Sequence, residues 1–404
     1  MNVGCREVAL TDSIQDARIP MWLLYPASAA APAQTMRFGS YPLEVAMNAP
    51  LLDAAQPLRL VVISHGKGGS PWAYRDTAAH LVRAGFVVAM LEHPGNNRND
   101  NSLDGTVANL ENRPRHISLV IDAAFADVEL GARLAQHGVA VIGHSMGGYT
   151  ALAVAGGQPA ALPNEVPEGR ARPLQVASNR RVRALVLLAP AVPWFMLEGS
   201  LANVEVPILL LVAEKDEFLP PMHADIILRR VSDPGRIEHR IVAGAGHFAF
   251  LSPFPPAMVR PEFPPSQDPE GFDRAAYLPT LHRLPEATSG RFAVLRDARR
   301  GPPVTPQRQL TPQTCRSSVG MLKPRRCPPR LANMMPSMNR PPKRRASWRT
   351  SRERSLAASL TRPTTCQART SGPSARSSTA SMSATASPTK WRTNWAGTPS
   401  RPLP

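Results

Sequence analysis

Residues 141–148 read Val-Ile-Gly-His-Ser-Met-Gly-Gly, an apolar strand that runs directly into the pattern Gly-x-Ser-x-Gly. In this pattern a serine sits on a sharp strand-to-helix turn, where neighbouring Cβ atoms would collide with the backbone. Gly143 and Gly147 remove those Cβ atoms. The flanks agree with this interpretation, because residues 139–142 are typical of a buried strand and residues 149–155 of a helix. The stretch therefore predicts a nucleophilic serine at Ser145.

A nucleophilic serine needs a base and a group that orients the base. His247 follows a predicted strand on a loop of small residues, and we predict that it is the base. Asp216 follows the preceding predicted strand, and we predict that it orients the histidine. Glu214 and Glu217 remain alternatives, because a shift of one residue in the turn would change which carboxylate points inward. The chain order Ser, Asp, His at the ends of successive strands is typical of a catalytic triad.

The same chemistry needs backbone N–H groups that hold the oxyanion of the tetrahedral intermediate. We predict that Met146, directly after the serine, supplies one donor. The glycine-rich loop at 64–69 supplies the second, with Lys67 as the predicted donor and Gly66 as the alternative. His65 and His144 lie beside these positions, and we expect them to pack there rather than to act as bases.

Short apolar runs alternate with helical patterns up to about residue 275, which predicts a mainly parallel sheet with helices on both faces. The apolar spacing predicts crossover helices over 73–84 and 115–136, with Val128 on the buried face of the second. A segment rich in proline, glycine and arginine at 156–181 predicts a small cap or surface insertion. The predicted strands cover 21–25, 59–64, 86–92, 139–143, 184–188, 208–213 and 237–242.

The charge of the chain is divided unevenly. Residues 1–277 carry 23 Lys and Arg against 27 Asp and Glu, whereas residues 278–404 carry 24 against 3. The second part is rich in Pro, Arg, Ser and Thr, and such a composition cannot bury enough apolar surface to fold. We therefore predict a hydrolytic domain over 1–277 and a basic disordered tail over 278–404. Our hypothesis for the tail is a frameshift near residue 277, since its composition is typical of a GC-rich gene read in another frame.

Four cysteines are present, and only Cys5 precedes the tail, which excludes a disulfide framework in the first 277 residues. The N-terminus has no basic region followed by an apolar stretch, and no run reaches the length of a membrane span. We expect a cytoplasmic protein, with secretion as the alternative if the start codon is misassigned. We expect no metal and no cofactor, and no specific nucleic-acid binding, because the arginines of the tail are scattered.

Several motifs together resemble a branch of the α/β-hydrolase superfamily, the bacterial predicted dienelactone hydrolases, which are similar to plasma-type platelet-activating-factor acetylhydrolases. The resemblance spans about residues 3–277. It rests on His-Gly-x-Gly-Gly at 65–69, Glu-His-Pro-Gly-Asn at 92–96, Arg-Pro-Arg-His-Ile-Ser at 113–118, the serine motif at 143–149, Gly-His-Phe-Ala-Phe at 246–250 and Gly-Phe-Asp-Arg-Ala-Ala at 271–276.

This resemblance implies the α/β-hydrolase fold, a triad of Ser145, Asp216 and His247, and oxyanion donors at Met146 and Lys67. Two departures stand out. True dienelactone hydrolases use a cysteine nucleophile, so we do not expect dienelactone as the substrate. The family also continues into a closing helix with an aromatic pair, whereas here we expect the proline at 279 to break that helix.

We therefore expect a serine esterase that acts on a small-molecule ester, of short acyl chain or phospholipid-like. The alternatives are a cutinase-like polyester or amide hydrolase, because Gly-His-Ser-Met-Gly-Gly also resembles cutinase-like elbows, and a damaged, non-catalytic hydrolase with a polyanion-binding tail. The acyl pocket is expected to draw on aromatic and apolar residues near the strand ends, which ordinary core packing explains equally well. They are Trp194, Phe195, Met196, Phe248 and Phe250.

Overall fold

The computed structural model describes residues 1–54, 56–136 and 138–287, with the side chains of residues 284–287 excepted. The predicted tail lies, from residue 288 onward, outside the described residues, so its disorder and the frameshift stay predictions. The domain limits at 277 and 278 likewise stay predictions.

The strands of the described residues are β1 Asn2–Asp12, β2 Ala17–Ala27, β3 Gln34–Phe38, β4 Tyr41–Met47, β5 Arg59–Ser64, β6 Phe86–Leu91, β7 Val139–His144, β8 Ala160–Ala161, β9 Arg172–Pro173, β10 Val182–Leu188, β11 Ile208–Ala213 and β12 Ile237–Val242. The α-helices of the same residues are α1 Arg75–Arg83, α2 Val107–Ala126, α3 Met146–Val154, α4 Met222–Arg230 and α5 Arg274–Ala287.

One large sheet organises the described residues, in the strand order β12-β11-β10-β7-β5-β6-β2-β1-β4-β3. The six strands from β12 to β6 are all parallel to one another. Strand β2 then pairs antiparallel with β6, and β1 pairs antiparallel with β2. Strands β6 and β7 are buried along their whole length, as expected where helices cover both faces of a parallel sheet. The predicted α/β fold class is confirmed.

The second crossover helix differs from the prediction over 115–136. Helix α2 begins eight residues earlier, where the Thr106 side chain accepts a hydrogen bond from the Asn109 N–H, and Pro114 lies inside the helix. The chain leaves the helix at Asp127, and Val128 is 98% exposed. The prediction was wrong because the apolar spacing continues after the helix has ended. The apolar residues that follow the helix pack from a short 3₁₀ turn at 131–133.

The last described helix, α5, also differs from the prediction, because it continues through Pro279 to Ala287. A proline inside a helix removes one backbone hydrogen bond. Side-chain contacts on both sides of it compensate, since Tyr277 packs edge-on against Phe250 and His282 stacks on His80 of α1 at 4.4 Å between ring centroids. A cavity of about 30 Å³ separates α5 from the apolar strands beneath it.

The segment predicted as a cap or insertion contains the short antiparallel pair β8 and β9. It is anchored by Glu165, whose carboxylate accepts a hydrogen bond from the Trp194 indole N–H at 2.9 Å. A capping role for this segment stays a prediction.

Candidate active site

Ser145 occupies the turn between β7 and α3 with φ 53° and ψ −122°, a backbone region that L residues rarely adopt. The turn is closely packed. A Cβ atom on Gly143 would overlap the carbonyl oxygen of Gly147, and one on Gly147 would overlap the carbonyl oxygen of Ser64. The glycines are therefore required by the packing, as the motif predicts.

Backbone hydrogen bonds from the sheet hold this strained turn. The Ser145 N–H donates to the Leu188 carbonyl at 3.0 Å, and the Ser145 carbonyl accepts from Gly148 at 2.8 Å and from Ala191 at 2.9 Å. Strain of this kind persists only where surrounding structure fixes it, and it is concentrated at functional sites.

His247 and Asp216 are in direct contact. Asp216 Oδ2 lies 2.8 Å from His247 Nδ1, and both side chains are about 95% buried. Asp216 Oδ1 accepts hydrogen bonds from the backbone N–H groups of Phe218 and Leu219. Burial alone would raise the pKa of Asp216, but the hydrogen bond and charge interaction with His247 and the two backbone donors hold the pKa below its ordinary value.

The two alternative carboxylates lie elsewhere. Glu214 accepts a hydrogen bond from the Gly244 N–H at 2.7 Å. Glu217 lies close to Gly246, since a Cβ atom placed there would be 3.3 Å from Glu217 Oε2. Of the three predicted orienters, the structure brings only Asp216 into hydrogen-bond contact with the histidine ring.

His144 connects the serine turn to the histidine loop. Its Nε2 donates to the His247 carbonyl oxygen at 2.9 Å, which leaves Nδ1 to accept from the Tyr74 hydroxyl at 3.0 Å. Burial lowers the pKa of His144 to about 3, so the ring is neutral. Among the hydrogen bonds of the described residues none joins Ser145 Oγ to His247, and such bonds are often long in hydrolytic sites without substrate.

The loop at 64–69 lies against the serine. A Cβ atom placed on Gly66 would be 3.1 Å from Ser145 Cβ. Within the described part of the chain, neither the Lys67 nor the Met146 backbone N–H finds an acceptor. The Lys67 side chain instead forms a half-exposed ion pair with Asp104, with Nζ and Oδ2 2.7 Å apart. Their role as oxyanion donors stays a prediction.

A buried guanidinium was missed by the sequence analysis. Arg113 of α2 is 0% exposed and donates to Thr150 Oγ1 at 2.9 Å, Asn96 Oδ1 at 2.7 Å and Ser64 Oγ at 3.3 Å. It also donates to the His65 carbonyl oxygen. The sequence analysis quoted it only within the motif at 113–118, and no periodicity identifies a buried arginine.

Ser64 begins a series of side-chain hydrogen bonds that passes through two buried histidines. Ser64 Oγ lies 3.0 Å from His93 Nε2, His93 Nδ1 lies 3.1 Å from His116 Nδ1, and His116 Nε2 lies 2.7 Å from Gln15 Oε1. Burial lowers the pKa of His116 to about 3 and that of His93 well below its usual range. His65, held between the Gly66 carbonyl and the His93 N–H, has a pKa lowered by burial to about 3.

The predicted pocket residues separate into two groups. Phe195 is 0% exposed and stacks on Tyr149, and Trp194 packs edge-on against the same tyrosine, so both belong to the core. Phe248 is half-buried, and its ring centroid lies 4.9 Å from that of His247. Phe218 flanks the same histidine at 5.3 Å. Of Trp194, Phe195 and Phe248, only Phe248 contacts the His247 ring.

No group of three or more His, Cys, Asp or Glu side chains in the described ranges could hold a metal ion. Within those ranges no helix is both long and apolar enough to cross a bilayer. Cys5 is buried, and burial raises the pKa of its thiol to about 12.

Comparison with known proteins agrees with this topology. A family model described as serine aminopeptidase, S33, matches residues 55–197. The structure of a ferulic acid esterase from Streptomyces cinnamoneus is similar with a TM-score of 0.50 and 20% identity, over 72% of this chain and 89% of that chain. No curated protein matches the chain in sequence.

Two further structures are similar at lower scores. A dienelactone hydrolase-like promiscuous phosphotriesterase from metagenomic libraries has a TM-score of 0.45 and 14% identity, over 73% of this chain and 99% of that chain. A dienelactone hydrolase from Anabaena variabilis has a TM-score of 0.37 and 18% identity, over 60% and 88% of the two chains. The first of these structures and the strand order therefore show that the chain has the α/β-hydrolase fold, and the family match over residues 55–197 agrees with it.

Proposed function

We propose that the chain is a serine hydrolase that cleaves carboxylic esters of short acyl chain, through Ser145, His247 and Asp216. The observation that carries the proposal is the hydrogen bond between Asp216 and His247 beside a serine held at positive φ. A serine in this turn with a carboxylate-oriented histidine nearby is the arrangement that acyl transfer needs.

In the proposed reaction His247 Nε2 takes the proton of Ser145 Oγ while the oxygen attacks the ester carbonyl. The Met146 and Lys67 N–H groups donate to the resulting oxyanion. The carbonyl re-forms as the carbon–oxygen bond to the alcohol breaks, and His247 returns the proton to the departing alcohol. Water repeats the sequence on the acyl-enzyme, which releases the acid and restores Ser145.

Asp216 accepts the Nδ1–H of the ring throughout. It keeps Nε2 unprotonated and facing the serine before attack, and it stabilises the imidazolium that forms during it. Its two backbone donors, Phe218 and Leu219, keep the carboxylate in one orientation.

The ester class is supported by the resemblance to acetylhydrolases and by the similar ferulic acid esterase structure. A short acyl group is favoured by the aromatic rings of Phe218 and Phe248, which pack directly against His247. A phospholipid-like ester stays within this proposal as a substrate with a short acyl arm.

Amide hydrolysis is the second candidate, and the match to the serine aminopeptidase family model favours it. The two candidates share the same nucleophile and differ in the leaving group, so substrates with matched acyl groups separate them.

The test is hydrolysis of p-nitrophenyl acetate, butyrate and octanoate, together with 4-nitroacetanilide as the amide with the matched acetyl group, by the full 404-residue chain. We expect ester turnover that decreases from acetate to octanoate and is lost in Ser145→Ala. Ser200→Ala is the matched control, because Ser200 is a buried serine that bonds the Phe195 carbonyl away from the serine turn. Turnover that survives in Ser145→Ala, or that prefers the anilide, would overturn the ester proposal.

A further inference from the structure

Arg113 is a buried cation without an anionic partner among the described residues. The other two buried arginines each have an aspartate nearby, with Arg75 3.8 Å from Asp76 and Arg274 2.9 Å from Asp268. The four acceptors of Arg113 are two hydroxyls, one amide oxygen and one backbone carbonyl, all of them neutral. Burial lowers the pKa of Arg113 to about 9, which leaves the group charged at neutral pH.

A buried charge without a counter-ion is costly, which distinguishes Arg113 from the other two buried arginines of the described residues. The hydrogen bonds of Arg113 reach two places that matter for the proposed reaction. Its Nη2 donates to the carbonyl of His65, two residues before Lys67 in the same loop. His65 in turn donates from Nδ1 to the Gly66 carbonyl at 2.7 Å.

The second place is the start of helix α3. Arg113 Nε donates to Thr150 Oγ1, and the Thr150 hydroxyl donates to the Met146 carbonyl at 3.1 Å. Met146 carries the other oxyanion donor. One guanidinium therefore connects to the segments that carry both donors.

We propose that Arg113 is a positioning residue for the oxyanion site, which fixes the Lys67 and Met146 N–H groups relative to each other and leaves a positive charge behind them. The inference rests on the proposed function, because an oxyanion forms only if Ser145 attacks a carbonyl. An interaction of this kind strengthens as negative charge develops, so it acts on the transition state more than on bound substrate.

The experiment compares Arg113→Gln and Arg113→Lys with Arg115→Gln, all in the full chain. Arg115 lies on the same helix and pairs with Asp12 at 2.7 Å, so it controls for loss of a helical arginine and its hydrogen bonds. For p-nitrophenyl butyrate we expect Arg113→Gln to lower kcat by about 10²-fold, as loss of an oxyanion donor does, with KM changed less than about threefold. Arg113→Lys keeps the charge but lacks the planar guanidinium with its several donors, so it should lower kcat by about tenfold.

A second readout is binding of a phenyl trifluoromethyl ketone. Ser145 Oγ adds to the ketone carbon, its proton passes to His247, and the ketone oxygen becomes an oxyanion. The affinity for this ketone should decrease in Arg113→Gln by about the factor lost in kcat, because both measure oxyanion stabilisation. Arg115→Gln should change neither value.

Thr150→Val keeps the inference testable if Arg113→Gln does not fold, because it removes one link with little change of shape. It should lower kcat and ketone affinity together, by about tenfold. A lower melting temperature with unchanged kcat and ketone affinity in the Arg113 and Thr150 variants would overturn the inference alone. Failure of a fluorophosphonate to label Ser145 in the wild type would overturn the proposed function, and this inference with it.

Discussion

The Nε2 atom of His144 donates to the backbone carbonyl of His247 across 2.9 Å, so the residue before the nucleophile supports the residue predicted to act as its base. The ring is fully enclosed and is neutral, because burial lowers its pKa to about 3. The side chain that precedes Ser145 thus links the serine turn to the histidine loop.

Replacing His144 by leucine should destabilise the fold and slow turnover. The substitution leaves the His247 carbonyl and the Tyr74 hydroxyl without their partner, and each buried unpaired group costs about 1–3 kcal/mol. Tyr74→Phe removes only the donor to His144 Nδ1 and should cost about 1 kcal/mol. Urea unfolding and kcat for p-nitrophenyl butyrate measure both effects. A larger loss in Tyr74→Phe than in His144→Leu would contradict the assigned direction of these hydrogen bonds.

Asp216→Asn should reduce kcat by about 10⁴-fold with little change in the fold, because an amide stabilises the wrong tautomer of the histidine. Glu214→Gln and Glu217→Gln are the matched controls, since both carboxylates lie in the same turn and neither bonds the ring. Kinetics on p-nitrophenyl butyrate, with circular dichroism to check folding, decide the matter. An equal loss in Glu217→Gln would reassign the orienter.

Stability should decrease as the pH falls below about 6.5, the ordinary pKa of histidine. Burial lowers the pKa of His65, His93, His116 and His144, so the unfolded chain binds protons in this range that the folded chain rejects. Each such histidine contributes up to about 1.4 kcal/mol per pH unit. The stability is fully present above this range and is lost on acidification.

The measurement is the free energy of unfolding in urea at several values from pH 8 to pH 5. His116→Gln should lower the slope by about one proton, because glutamine can still bond to Gln15 without titrating. A free energy that stays level between pH 7 and pH 5 would show that these rings are protonated in the folded chain.

Gly147→Ala should be destabilising because its Cβ would overlap the Ser64 carbonyl oxygen, and not through backbone strain, since Gly147 does not have a positive φ. Gly199→Ala is the control, since Gly199 has φ +71° and open space around it. The control should cost about 1–2 kcal/mol from the left-handed backbone conformation alone. Gly147→Ala should cost about 1–3 kcal/mol of overpacking and should lower kcat by shifting the loop at 64–69, whereas Gly199→Ala should leave kcat unchanged. An unchanged kcat in Gly147→Ala would contradict this view of the turn.

The central strands could be predicted from the sequence because parallel strands buried on both faces are continuous apolar runs, and those at 59–64 and 208–213 match the structure residue for residue. The strand at 237–242 matches as well, although it lies at the edge of the sheet and its residues are half-buried or exposed. Strand β1 was missed. It is not a continuous apolar run, because Arg6, Glu7 and Thr11 interrupt it and residues 6–11 are only half-buried or exposed. The start of α2 was missed because the apolar spacing was followed only from residue 115, whereas the helix begins at Val107 and continues through Pro114.

The residues of the candidate site also separate into those that the sequence identifies and those that it does not. Ser145, His247 and Asp216 follow strands and carry distinctive chemistry, so motif and spacing identify them. Arg113 and the histidines at 93 and 116 come from separate segments, and only the folded chain brings them together. Phe195 was expected near substrate and lies in the core, because aromatic residues near strand ends serve packing as readily as binding.

The course of α5 through Pro279 to Ala287 bears on where the chain can be shortened. A stop codon after residue 277 would remove Leu281, which lines the small cavity over Val186 and Leu209 of the sheet, and would expose that apolar surface to solvent. A stop after residue 287 would keep all of α5 that the structure describes. The shorter product should aggregate, whereas the longer one offers the smallest unit suited to crystallisation.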